Sequence, residues 1–247
     1  MTRLDQALVE RGLCDSRERA KRAILAGQVR VNDQSARKPS DPVKSDDRLT
    51  LDAGEKYVSR GGHKLEHALN HFQLDVTGLT ALDLGASTGG FTDCLLQHGA
   101  AKVFAVDVGR GQLAWKLRQD KRVVVMEKTN ARHLTAAQFP PPFRPFDVVV
   151  ADCSFISLRN ILPAAIALLR SDGRIVALIK PQFEAGKAEA DKGRGVITDP
   201  AVHERVLQEL RDFAGAQPGL RWRDAVESPL LGPAGNREFL ALIEKTG

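Results

Sequence analysis

The chain has 247 residues, 43% of them hydrophobic and 27% charged, which suits a soluble globular protein with a sizeable core in one large or two smaller domains. Lysine and arginine outnumber aspartate and glutamate by 36 to 31, a mild basic excess that permits a polyanionic partner without requiring one. Three scattered cysteines, Cys14, Cys94 and Cys153, indicate neither a disulfide framework nor a zinc site, and no apolar run approaches the roughly 20 residues of a membrane helix. The opening MTRLDQALVERG has no apolar core of signal-peptide type, so the expectations are a reducing cytoplasm, no metal and no membrane partner.

Residues 1–52 read as a small α+β domain. Leu4, Ala7, Leu8 and Leu13 form one apolar stripe. A second helix starts at a cap-like Asp15-Ser16, buries Ala20, Ala23, Ile24 and Leu25, and stops at Gly27, after which VRVND alternates as a short strand into a turn. From Arg17 to Lys38 there are seven basic residues (Arg17, Arg19, Lys21, Arg22, Arg30, Arg37 and Lys38) against two acids, a local footprint for phosphates. The segment S-R-x-x-A-x-x-x-I-x-x-G-x-V-x-V-N, from Ser16 to Asn32, resembles the small α-L RNA-binding domain of a ribosomal protein, tyrosyl-tRNA synthetases and pseudouridine synthases. The resemblance implies RNA binding, with Arg17, Arg19, Lys21, Arg22 and Arg30 as candidate contacts.

The short polar stretch 53–59 is the expected linker to a second domain over 60–247. Gly61 and Gly62 break the chain, and a helix follows with Leu65, Ala68, Leu69 and Phe72 on one face. Lys64 sits in its first turn, where a cation is unfavourable to the helix dipole.

From Thr80 strands and helices alternate. Strands are expected at 80–85, 102–108, 122–127, 146–152, 174–180, 221–227 and 237–244, and helices at 90–98, 111–119, 157–170 and 201–214. This is the pattern of an α/β, doubly wound, mostly parallel sheet, with the last strand antiparallel after a hairpin-like turn at 228–236. Residues 184–198, rich in glycine and charge, read as a mobile loop.

The stretch TALDLGASTGGF, Thr80 to Phe91, runs from strand through glycines into a helix, where backbone N–H groups and a positive dipole end can meet a small ligand. Its spacing is neither the G-x-G-x-x-G of dinucleotide sites nor that of a P-loop. With Asp107 ending the next strand, where an acid can accept from a ribose diol, D-x-G-x-x-x-G-G resembles the first two motifs of S-adenosylmethionine-dependent methyltransferases. The cofactor contacts so implied are backbone near Gly85, Ser87 and Gly89, Asp107 for the ribose, Asn130 near the adenine, and Asp83 for the methionine amino group through water.

Three charged residues stand at strand ends that share one edge of such a sheet: Asp152, Lys180 and, at the start of the antiparallel strand, Glu238. Lys64 can reach the same place. With RGGHKL, ADCSFISL, LIKPQFE and NREFL, this set resembles the FtsJ-type ribose 2′-O-methyltransferases, and with the basic domain ahead of it the chain resembles the TlyA family, whose members also carry the name haemolysin. The resemblance implies a Rossmann-like methyltransferase domain and transfer of a methyl group to a ribose 2′-hydroxyl of a cytidine in ribosomal RNA, free or within a ribosomal subunit. In-line displacement needs oxygen, methyl carbon and sulfur aligned and the hydroxyl proton removed. Lys180 is the expected central group, Lys64 orients substrate, Asp152 positions Lys180, and Glu238 completes the network. Three rival readings are a non-catalytic RNA-binding factor of ribosome assembly, a membrane-active haemolysin, and a base rather than ribose methyltransferase, for which the surroundings of Cys153 do not match.

Overall fold

The structure, a computed structural model, describes residues 1–36, 38–52 and 54–246, without the side chain of Lys187. Arg37, counted above among the basic residues, and Ala53, in the expected linker, lie outside the described residues. The chain forms two compact units, Met1–Lys56 and Tyr57–Gly247.

In the first unit, β1 (Thr2–Arg3) leads into α1 (Leu4–Glu10), and α2 (Arg17–Leu25) is followed by β2 (Val29–Val31), β3 (Gln34–Ser35), β4 (Pro42–Val43) and β5 (Leu49–Leu51). The Ser16 side chain accepts from Arg19 N at 3.3 Å and so starts α2. Gly27, at φ +72, ends its C-terminal turn. Leu4, Ala7 and Leu8 meet Ala20, Ala23 and Ile24 in one core with Val29, Val43 and Leu49. Leu25, expected inside, is 71% exposed. It follows Ile24 by one residue, and a turn of about 100° per residue carries it off the 20–23–24 stripe. β2 lies between β3 and β5 in an antiparallel sheet, and β1 pairs with β4, so the strand seen in the sequence is one of several.

The second unit comprises α3 (Gly61–His71), β6 (Thr80–Leu84), α4 (Gly90–Gln97), β7 (Lys102–Val106), α5 (Trp115–Arg118), β8 (Val123–Met126), β9 (Phe146–Ala151), α6 (Leu162–Leu168), β10 (Leu169–Ile179), α7 (Pro181–Glu184), α8 (Lys187–Lys192), α9 (Pro200–Gly215), β11 (Leu220–Glu227) and β12 (Phe239–Lys245). Its seven strands are ordered β11-β12-β10-β9-β6-β7-β8. Those from β10 to β8 pair in parallel, and β12 is antiparallel to both β10 and β11. Strands such as FDVVVA are apolar nearly throughout because both faces are covered. Leu82, Val149, Ile175 and Ile243 face one core with α6 and α9, and Ala81, Val148, Val176 and Leu242 face another with α3 and α4. The chain adds β7 and β8 on one side of β6, then crosses to add β9 on the other. The gap at that switch, beyond the carboxyl ends of the strands, is where such sheets hold ligands.

Local departures have local causes. Pro163 near the start of α6 bars the continuous helix expected over 157–170, since its ring removes a donor and crowds the preceding turn; a 3₁₀ turn, Leu158–Asn160, stands in front instead. The helix expected over 111–119 shortens to α5, after Gly111 at φ +75. The segment 184–198 is not a plain loop: it contains α8, KAEADK, whose alanine, glutamate and lysine are strong helix formers. Tyr57, placed in the linker by composition, is 1% exposed in the core of the second unit, and Val58 N donates to Asp93 Oδ2 at 2.8 Å. That unit therefore begins inside the stretch 53–59, because burying the large ring outweighs the polarity of its neighbours. Among the described residues no helix is long and apolar enough to cross a membrane.

Candidate active site at the carboxyl edge of the sheet

β6 ends in a turn that only glycine can make. Gly85 has φ +84, and a Cβ on it would come within 2.6 Å of the Asp152 carbonyl oxygen. The turn is pinned from the next strand: Asp107 Oδ2 accepts from Ser87 N at 2.8 Å and Oδ1 from Gly109 N at 2.7 Å. Gly90, the first residue of α4, lies so close to the start of α3 that a Cβ would sit 2.4 Å from Ser59 Oγ and 2.9 Å from Gly62 N. Two helix N-termini thus abut beside the turn.

Two cavities open here. The larger, of about 680 Å³, is lined by Lys64, Asp152, Lys180 and Glu238 together with Gly85, Ser87 and Phe155. The smaller, of about 440 Å³, is lined by Asp107, Asn130 and Gln112 and shares Gly85, Ser87, Asp152, Ser154 and Phe155 with the first. Both fall in the size range of ligand pockets.

The sheet register assembles the four charged residues. Ile179 pairs with Phe239, which sets Lys180 beside Glu238, and Leu84 pairs with Ala151, which sets Asp152 beside Gly85. Lys64 Nζ donates to Glu238 Oε2, with both side chains buried. Lys180 Nζ lies 2.6 Å from Asp152 Oδ1, as an ion pair outside hydrogen-bonding alignment, and donates to Ser154 Oγ at 2.8 Å. Each ammonium thus has its own carboxylate, which is how charges persist in a partly desolvated place. Glu238 Oε1 is buried and has no hydrogen-bond partner among the described residues.

Of the other expected cofactor contacts, Gly85, Ser87, Asp107 and Asn130 line a cavity. Asn130 Oδ1 also accepts from Arg132 N, capping a short 3₁₀ turn. Gly89 and Asp83 line neither cavity. Gly89 is the left-handed N-cap of α4, and the space beside its Cα is filled by Leu113 and Leu117. Asp83 is fully buried under α4, where Thr92 Oγ1 donates to Oδ2 at 2.6 Å. Burial, with smaller contributions from Asp152 and Asp107, pushes its carboxyl up to about 7 against the opposing Thr92 hydrogen bond.

Three groups at the site were not singled out in the sequence. Ser154 and Phe155 follow Asp152 in the loop, and Phe155, at φ 63 and 90% exposed, holds its ring 5.0 Å from that of Phe183. Glu184, buried at the end of α7, accepts from Ser157 Oγ at 2.6 Å and from Leu158 N at 2.7 Å. Burial raises its carboxyl above the usual range, the two hydrogen bonds opposing. Its spacing of one helical turn after Lys180 was the available signal.

In the first unit, the five candidate RNA contacts are surface groups, but four of them have acid partners. Arg17 pairs with Asp5 at 3.0 Å, Lys21 with Glu18 at 2.7 Å, Arg30 with Asp52 at 3.2 Å, and Arg19 with Asp15. Asp5, Asp15 and Asp52 lie outside the stretch from which the basic excess was counted, so the fold reduces that excess. Asp5 is fully buried, and Arg3 and Arg17 hold its carboxyl down at about 2 against the cost of burial. Arg22 has no ion-pair partner among the described residues.

Comparison with known proteins shows the family. The family pattern of the FtsJ-like methyltransferases matches residues 57–245, and that of the S4 domain matches residues 2–49. A candidate rRNA methyltransferase of Bacillus subtilis, YqxC, is 50% identical over 99% of this chain and 86% of its own. The 16S/23S rRNA (cytidine-2′-O)-methyltransferase TlyA of Mycobacterium tuberculosis is 46% identical over 96% of this chain and 87% of its own. A solved chain from Streptococcus thermophilus, described as a candidate hemolysin, superposes with a TM-score of 0.72 at 43% identity, covering 99% of this chain and 88% of the other.

Proposed function

The chain belongs to the FtsJ-like methyltransferase family and carries an S4 domain ahead of the methyltransferase region, and from that premise we propose that it methylates a ribose 2′-hydroxyl of a cytidine in ribosomal RNA, using S-adenosylmethionine, in the cytoplasm. The observation that carries this reading is the junction of the two cavities, where Asp152 and Ser154 border both spaces and Lys180 is held against them. A donor in one space and a hydroxyl in the other would meet beside that lysine. The name and near full-length similarity of the mycobacterial relative support the substrate class.

The residues fit the cofactor. The left-handed turn at Gly85, packed against the Asp152 backbone, lines both cavities, and the smaller cavity is lined also by Asp107, available for ribose hydroxyls, and by Asn130. When bound, S-adenosylmethionine supplies an electrophilic methyl group on a sulfonium centre. The chain's own groups do the rest. Lys64, fixed by Glu238, orients the ribose. Lys180 Nζ is the group beside the hydroxyl that takes its proton or orients its oxygen, and Asp152 and Ser154 fix where Nζ points. Substituting Lys180→Ala is expected to lower methyl incorporation from labelled donor into ribosomal RNA by about a hundredfold or more while cofactor affinity, measured by calorimetry, stays near wild type. Turnover retained by that variant would remove Lys180 from the centre. Absence of incorporation by the wild type, on free RNA and on ribosomal subunits alike, would remove the reading itself.

A further inference from the structure

We propose that Glu184 is a positioning residue for the active site, a clasp that ties the loop carrying Asp152 and Ser154 to the segment carrying Lys180. The proposal rests on the function proposed above. Lys180 and Glu184 stand at the two ends of one tight turn, closed by Phe183 N to Lys180 O at 2.8 Å and Ala185 N to Pro181 O at 2.9 Å. Facing it, the loop after β9 leaves the sheet at Asp152, whose N–H donates to Leu84 O at 2.9 Å, and re-enters regular structure at Leu158. The turn holds the loop at both ends. Lys180 takes Asp152 and Ser154, and Glu184 takes Ser157 Oγ and Leu158 N, one with each oxygen.

The loop needs holding. Between the two attachments Phe155 adopts φ 63, a left-handed backbone that is costly for an aromatic residue and persists only where its surroundings impose it. Its ring is 90% exposed, so little burial fixes it. A carboxylate kept inside the protein at Glu184 carries a desolvation cost that only well-made hydrogen bonds offset. Released from Glu184, the loop would keep Asp152 and Ser154 attached to the chain but not at a fixed distance from Lys180, and small displacements of catalytic groups cost rate steeply.

The test uses the full chain with Glu184→Ala, Glu184→Gln and Ser157→Ala, reading steady-state methyl transfer, cofactor affinity and backbone hydrogen exchange. Glu184→Ala is expected to lower kcat about tenfold to a hundredfold with a much smaller loss of cofactor affinity, since the same loop borders the cofactor cavity, and to speed exchange over 153–158 alone. Glu184→Gln can still accept from Leu158 N and donate to Ser157 Oγ, so it should recover kcat to within about threefold. Ser157→Ala, which removes one of the two bonds, should fall between. Wild-type kcat in Glu184→Ala overturns the proposal. So does a parallel loss of kcat and cofactor affinity with faster exchange across the whole of 57–246, the mark of a merely structural role. Should Glu184→Ala fail to fold, wild-type kcat and exchange in Ser157→Ala overturn it. If the wild type transfers no methyl group, the functional reading fails separately, and unchanged exchange over 153–158 in Glu184→Ala still overturns the clasp.

Discussion

At Gly232 the missing side chain is what matters. A Cβ there would lie 2.5 Å from Glu238 Oε1, and Glu238, 1% exposed and bound to Lys64, can yield only by shifting within that pair. Gly232→Ala is therefore expected to displace the glutamate and cut turnover by about tenfold or more in steady-state assays, with a smaller effect on the melting temperature. Asp83 makes the opposite kind of prediction, about stability. Its folded carboxyl titrates near 7 against an ordinary 3.8, so between those values the folded chain holds a proton that the unfolded chain has lost. Stability from this group is present below about pH 4 and declines as pH rises toward 7, by an amount on the order of a few kcal/mol. Asp83→Asn, which keeps an acceptor for Thr92, should flatten the melting temperature over that interval and melt above the wild type at pH 8.

Among elements, α2 carries the clearest prediction. Arg22 is the one candidate contact there without a carboxylate partner among the described residues, while its neighbours Arg17, Arg19 and Lys21 each have one. Arg22→Ala should weaken RNA binding across sequences and reduce the salt slope of the binding constant by about one, measured by titration at several salt concentrations. Arg19→Ala, whose loss also frees Asp15, should do the same to a larger extent than its charge alone suggests. How far elements were legible from sequence follows from what each depends on. β6, β7 and β9 declared themselves as apolar runs closed by an aspartate or glycine, a pattern local to each strand. α6 and α8 depart from their local patterns, the first because a proline interrupts apolar periodicity and the second because helix formers stand among glycines. Strong propensity over six residues outweighed the look of a loop.

For the molecule as a whole, pairings were the least visible part. Lys64 and Glu238 are 174 residues apart, and their contact depends on the register of β12 against β10, which no local pattern discloses. The four charged residues could be named together, and Asp152 set against Lys180, through family resemblance and strand-end topology, but the meeting of Lys64 with Glu238 could not be read. Nor could the acids that fold back onto the basic helix, since Asp5 and Asp52 come from opposite ends of the first unit. A molecular-scale consequence can be measured directly. Both tryptophans, Trp115 and Trp222, belong to the second unit, so tryptophan fluorescence reports its unfolding alone. Cofactor at about a hundred times its dissociation constant should stabilise that transition by about 2.7 kcal/mol, seen as a higher midpoint. No shift at saturation would contradict cofactor binding by this unit.

The pairing of Lys64 with Glu238 also sets a timetable. A ribosome releases the RNA-binding unit first, then the glycine turn, then Asp152 and Lys180. Only when residue 238 and the strand that carries it have emerged can Lys64 find its counter-charge. On the function proposed above, a nascent chain would grip RNA well before its four charged groups are balanced, so methyl transfer would arrive last, after RNA binding.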